Sequence, residues 1–157
     1  TAAGDFTPGS NMSPLPVGNI SVGLLICFES VFPEIARSHV IQNADLLVNI
    51  TNDAWYGHSS APYQTLIMSL FRAVETRRPL IRSANTGFSA VIDHRGKILS
   101  KTDLFSQEIG IKEIRLVEPF VSFYTRYGDL FAVGCLMVSF ILLILYINHF
   151  ILTNFRK

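Results

Sequence analysis

The run Leu-Ile-Cys-Phe-Glu-Ser at residues 25 to 30 places a thiol where a short apolar stretch, Ser21 to Cys27, gives way to a helix-like pattern. A cysteine at a strand-to-helix turn is presented to solvent, and nearby backbone N–H groups favour a thiolate and, later in a reaction, an oxyanion. Cys27 is therefore the candidate nucleophile. Glu29, two residues on, is placed to orient a substrate or to take part in proton transfer. The Cys-x-Glu spacing says little by itself, and the plain alternative for Cys27 is burial as a small hydrophobe. A nucleophilic cysteine also needs a base: no Lys precedes Lys97, and the only acid before Glu29 is Asp5, in a Gly/Pro-rich stretch.

Other residues invite both a chemical and a structural reading. Trp55 and Tyr56, beside Gly57 in the polar loop NDAWYGHSSAP, suit the lining of a pocket, contact with a membrane surface, or packing over a sheet edge. Asn52 and Asp53 are expected to organise that loop through side-chain to backbone hydrogen bonds, with direct substrate contact the alternative. Glu75, Arg78 and Arg82 read as a structural ion-pair set. Asn85-Thr86-Gly87 reads as a bend between strands or as a pocket wall. His39, His58 and His94 have neither His-x-x-x-His spacing nor an acidic cluster nearby, which argues against a metal site. The chain has no Gly-x-Ser-x-Gly elbow and no phosphate-binding glycine loop.

The elements that must hold these residues follow from periodicity. Ser21 to Cys27 and Leu46 to Thr51 are continuous apolar runs of strand length. Phe32 to Gln42 has helical spacing through Ile35, His39 and Ile41. Tyr63 to Arg77 has one apolar face of Leu66, Ile67, Leu70 and Val74, with Pro79 as a stop. PLIRSAN, FSAVID and KILSK read as strands, and Glu108 to Leu116 alternates like one more. Strands alternating with helices and then following one another indicate an α/β or α+β layered domain.

The chain is 157 residues long, with 49% hydrophobic residues and a net charge of +1 from 13 basic and 12 acidic side chains. Near-neutrality removes the electrostatic case for nucleic acid, and the apolar content excludes a disordered chain. From Leu130 to Leu152 no residue carries a formal charge and 19 of 23 are hydrophobic, so the remainder falls to about 43%, an ordinary soluble composition. A helix over this segment is about 35 Å long, enough to cross a bilayer core of about 30 Å. The alternative is a buried core helix. Cys135 lies in this span, so Cys27 and Cys135 are not disulfide partners and Cys27 is a free thiol. Arg156 and Lys157 follow the span while Arg126 is offset by Asp129, which favours a cytoplasmic C-terminus and a domain on the outer face. The chain opens on Thr1 with no secretory pattern, as a piece of a longer protein would.

GLLICFES, LLVNITNDAWYG and FRAVETRRPLIRSANTGFSAVIDHRGKI together resemble the C-terminal half of a carbon-nitrogen hydrolase (nitrilase superfamily) domain, in its apolipoprotein N-acyltransferase branch. The resemblance covers about residues 18 to 116 and extends into the membrane tail. It implies an α-β-β-α sandwich, of which residues 1–128 form the C-terminal part, followed by a transmembrane segment with a short basic cytoplasmic tail over 129–157. It implies that Cys27 takes an acyl group from a phospholipid as a thioester and passes it to the α-amino group of an apolipoprotein's diacylglyceryl-cysteine, in the bacterial inner membrane with the domain on the periplasmic side. Glu29 matches an acidic residue beside the nucleophile. Phe28 stands where this branch often has Tyr, without that hydroxyl, and with Asn52, Asp53, Trp55, Tyr56 and Asn85 it is expected to line the substrate site. The family's Glu base and oxyanion-stabilising Lys precede the cysteine and have no match here, so the chain alone is expected to be inactive. No cofactor or metal is implied. An anchored nitrilase-type amidase and a non-catalytic anchored scaffold are the other readings.

Overall fold

The computed structural model describes Gly9, residues 12–118 and residues 120–154. Asp5, Arg156 and Lys157 lie outside the described residues. The chain divides into two compact units, residues 1–126 and 127–157.

The first unit is a six-stranded sheet in the order β1-β2-β3-β4-β5-β6: Leu15–Val17, Ile20–Ile26, Leu46–Asn52, Leu80–Asn85, Ala90–Ile92 and Ile98–Lys101. β2, β3 and β4 are parallel, and the flanking strands join antiparallel. The parallel strands are linked by helical crossovers, α1 (Pro33–Ile41) and α2 (Ala61–Thr76), which is the connection that parallel pairing demands. Register puts Gly23, Leu47, Leu80 and Ile92 in one row and Leu25, Asn49, Arg82 and Ala90 in the next. Ala36 and Val40 of α1 and Leu66 and Ala73 of α2 join these strands in one buried core. Gly23 lets α1 approach, since a Cβ there would sit 2.7 Å from the His39 Cβ. Together these are one α layer and one β layer, the half of an α-β-β-α sandwich expected from the sequence.

The opposite face of the same strands carries Leu24, Val48, Ile81 and Val91 in one row, with Ile26 and Ile50 in the next. Ile26 and Ile50 remain 49% and 51% exposed. The strands read as continuous apolar runs because both faces are apolar, yet only one is covered among the described residues.

Several expectations need correction. Residues 108–116 form no strand; Ile109 and Ile111 are almost fully exposed, because alternation marks a capacity to pair and no strand among the described residues lies alongside. β1 was missed for its brevity and for Pro16, although Gly18, with a φ of 59°, opens a two-residue loop to β2. On α1 the buried positions are Ala36, His39 and Val40, with Ile41 turned outward. On α2, Ile67 is 45% exposed, and Ser69 and Ala73 are buried instead.

After β6 (Ile98–Lys101) the chain is irregular as far as a strap over residues 120–126, which overlaps α3 (Phe123–Tyr127). Arg78 donates from Nε to the Ala44 carbonyl at 2.8 Å and from Nη1 to the Phe120 carbonyl at 3.1 Å. The hydroxyls of Ser122 and Thr125 both donate to the Glu75 carbonyl at the end of α2. Arg37 donates to the Thr125 carbonyl at 3.2 Å and lies over the Tyr124 ring. Burial lowers the Arg78 pKa and Asp45 opposes that shift.

In the second unit α4 runs from Leu130 to Asn154. Its stretch Leu130–Phe150 has a mean hydropathy of 2.8 and its most apolar part is unburied. It is long and apolar enough to cross a membrane.

Candidate active site

Cys27 does not end β2, which closes at Ile26; it is the first residue of a short 3-10 turn, Cys27–Val31. Its φ is 51°, in the left-handed region where a side chain with a Cβ is strained. Two of the turn's own side chains help to hold it. The Glu29 carboxylate accepts from the Ile26 N–H at 2.7 Å, which is half of a capping box. The Ser30 hydroxyl donates to the Cys27 carbonyl at 3.3 Å. Cys27 is partly exposed.

Beneath the turn lies a buried polar group that sequence reasoning recognised only in part. Asn49 donates from Nδ2 to the carbonyls of Leu25 and Cys27, at 3.0 and 3.2 Å. Thr51 Oγ1 is 3.6 Å from Cys27 Sγ and donates to Asp53 Oδ1 at 3.0 Å. Arg82 closes the group: Nη2 reaches Asp53 Oδ2 at 2.8 Å and Thr65 Oγ1 at 3.1 Å, and Nη1 donates to Asn49 Oδ1 and to Ser69 Oγ. The side chains of Arg82 and Asp53 are 1% and 2% exposed, so each charge depends on the other and on these hydrogen bonds. Asn49, Thr51 and Arg82 occupy alternate, facing positions of two paired strands. The available signal was polar residues at period two inside runs that otherwise read as fully apolar.

The ion-pair set takes a different form from the one expected. Glu75 pairs with Arg72 at 2.9 Å, Arg82 pairs with Asp53, and Arg78 serves backbone carbonyls. Asp53 is thus a buried counterion, while Asn52 does organise its loop, accepting from the Ala54 N–H at 3.1 Å. Asn85 donates to Asn52 Oδ1 at 3.3 Å, which ties the bend after β4 to the loop after β3. Gly87 is required by packing: a Cβ there would lie 2.7 Å from the Cβ and Cγ of Asp53.

Around this centre the aromatic residues are open. Phe28 is 52% exposed and meets Phe32 edge to face, with ring centroids 5.8 Å apart. Trp55 is 84% exposed, so it does not pack over the sheet edge, and Tyr56 is half-buried. Strand ends at β2, β3 and β4 therefore bring together Cys27, Thr51, Asn52, Asp53 and Asn85.

A parallel-stranded α/β half-sandwich with a strained, supported cysteine at a strand end defines the class. The chain belongs to the carbon-nitrogen hydrolase family, whose profile matches residues 5–118. It is similar to the apolipoprotein N-acyltransferase of Geobacter metallireducens, 53% identical over 132 residues, which are 84% of this chain and 25% of that relative. The chain thus spans about a quarter of that relative's length. Among solved structures it resembles a carbon-nitrogen hydrolase from Helicobacter pylori, with a TM-score of 0.60 and 20% identity over 65% of this chain and 43% of that one. It also resembles an amidase from Nesterenkonia sp. AN1 in which acrylamide has added to the active-site cysteine, with a TM-score of 0.51 and 26% identity over 63% of this chain and 41% of that one.

Proposed function

We propose that this chain is the nucleophile-bearing and membrane-anchoring part of an N-acyltransferase that moves a fatty acyl group from phospholipid to the N-terminal diacylglyceryl-cysteine of apolipoproteins. The observation that carries this reading is the Cys27 thiol, held on a strained turn over a buried polar group, in a chain 53% identical to a relative of that name. Acyl transfer from an ester to an amine is easier in two displacements. The Cys27 sulfur attacks the ester carbonyl and its proton passes through a base to the departing lysophospholipid oxygen. The substrate's α-amine then attacks the thioester, an amide forms, and the sulfur regains a proton.

Phe28, Trp55 and Tyr56 supply an apolar rim for acyl chains, and Asn52 and Asn85 supply polar groups for the ester or amine end. The base, a glutamate, and the lysine that stabilises the oxyanion come from outside this chain, which by itself is inactive. Residues 1–128 form the catalytic part, on the periplasmic face of the bacterial inner membrane. The segment over 129–157 anchors it with a cytoplasmic C-terminus and keeps lipid substrates at high effective concentration. Likeness to the Nesterenkonia amidase favours a second reading, an anchored amidase using the same thiol.

The two readings separate on the donor. Complete enzyme incubated with acyl-labelled phospholipid should retain label that hydroxylamine releases, and Cys27→Ala should retain none. Absence of a thioester in the unsubstituted enzyme, with hydrolysis of small amides intact, sinks the acyltransferase reading.

A further inference from the structure

We infer that Thr51 is a positioning residue for the Cys27 sulfur, a hydroxyl that accepts from the thiol at rest and turns to donate once the thiol has lost its proton. The inference rests on the reading of Cys27 as the nucleophile and adds a residue that acts through it.

Thr51 Oγ1 sits 3.6 Å from Cys27 Sγ and 3.0 Å from Asp53 Oδ1, and Thr51 is 8% exposed. A hydroxyl has one hydrogen and two lone pairs, so it cannot donate to both neighbours. Asp53 is an acceptor with no proton of its own to offer, held by the Arg82 guanidinium at 2.8 Å. With a neutral thiol the consistent arrangement is a directed chain: Cys27 S–H to Thr51 Oγ1, and Thr51 O–H to Asp53. That chain fixes where the S–H points.

When a general-base carboxylate removes the thiol proton, the sulfur becomes a strong acceptor and the Thr51 hydrogen can rotate to it. Asp53 loses one hydrogen bond in that rotation but keeps Arg82. Hydrogen bonds to ionised groups are the stronger ones. Thr51 therefore stabilises the thiolate more than the thiol, and Asp53 with Arg82 provides the place where the hydrogen waits. Gly87 belongs to the same arrangement because its missing Cβ leaves room for the Asp53 side chain.

The test uses the chain in detergent with Cys135→Ser, so that Cys27 is the only thiol of the two in the sequence. Thr51→Val removes the hydroxyl at nearly constant shape, Thr51→Ser keeps it, and Thr51→Ala removes it with less bulk. The S–H stretching band of Cys27, identified by its loss in Cys27→Ala, should move to higher frequency in Thr51→Val and Thr51→Ala and stay in place in Thr51→Ser. Alkylation by iodoacetamide at a fixed neutral pH should slow about threefold to tenfold in the first two and recover in Thr51→Ser. An unmoved band, an unchanged rate, or Thr51→Ser behaving like Thr51→Val each overturns the inference. Loss of thioester formation in the phospholipid experiment with these shifts intact would remove the acyltransferase reading and leave the positioning role standing.

Discussion

At the scale of single residues, the site is a cysteine whose surroundings are fixed by a buried charge pair at the end of β3 and on β4. Gly87→Ala tests that dependence without substituting either member of the pair. The added methyl meets the Asp53 side chain, which has no slack because Arg82 and Thr51 hold both of its oxygens. Overpacking of this kind costs about 1–3 kcal/mol, read as a lowered thermal midpoint, and should also slow alkylation of Cys27. A Gly87→Ala chain with unchanged midpoint and rate would show that the pair tolerates displacement. Glu29 poses a different question, since its carboxylate holds the turn through the Ile26 N–H. Glu29→Gln keeps an acceptor oxygen and should preserve Cys27 alkylation, whereas Glu29→Ala should destabilise the turn by about 1 kcal/mol. If Glu29 moves protons as well, Glu29→Gln loses transfer in the complete enzyme while keeping alkylation. Cys27 and Glu29 were legible from one short motif. The partner of Asp53 was not, because a counterion 29 positions away is set by strand register and leaves no local trace.

At the scale of elements, periodicity located every core strand and both crossover helices but misjudged features that depend on a neighbour. Residues 108–116 alternate correctly for a strand and find nothing to pair with, while Leu15–Val17 pairs despite its proline. The edge of β2 beyond β1 is closed by side chains instead: His39 Nε2 donates to the Leu24 carbonyl at 3.0 Å and Glu29 takes the Ile26 N–H. The β5–β6 turn is similarly built on one carboxylate, Asp93 Oδ1, which accepts from the N–H groups of Arg95 and Lys97 at 2.8 Å each. Partial burial pushes the Asp93 pKa up, but those two N–H donors, with His94 and Arg95 nearby, outweigh it and hold it below the ordinary 3.8. A folded value below the unfolded one means this contribution is present above about 3.8 and is lost as pH falls through the folded value. Asp93→Ala should therefore lower stability by about 1 kcal/mol near neutral pH, and the gap between the two melting curves should close in acid below the folded value. A gap that persists there would assign the effect to something other than the carboxylate.

At the scale of the whole molecule, the chain combines a sheet with one apolar face open and a helix that suits a bilayer. Deleting residues 130–157 should abolish co-flotation with phospholipid vesicles; undiminished flotation would place the membrane contact on the first unit instead. The open face, with Ile26 and Ile50 about half exposed, should bind a hydrophobic dye. A chain that binds no dye would show that this face is shielded. Composition alone separated the apolar helix from the sheet unit, because a run of uncharged residues is a property of sequence, whereas a face left open is a property of what lies beside it. The strap over residues 120–126 adds a mechanical consequence. Its bonds end on the Glu75 carbonyl at the close of α2, on Arg78 just beyond it, and on Arg37 of α1. A pull arriving at Arg126 is shared among α1, the end of α2 and Arg78 before it reaches the turn that carries Cys27.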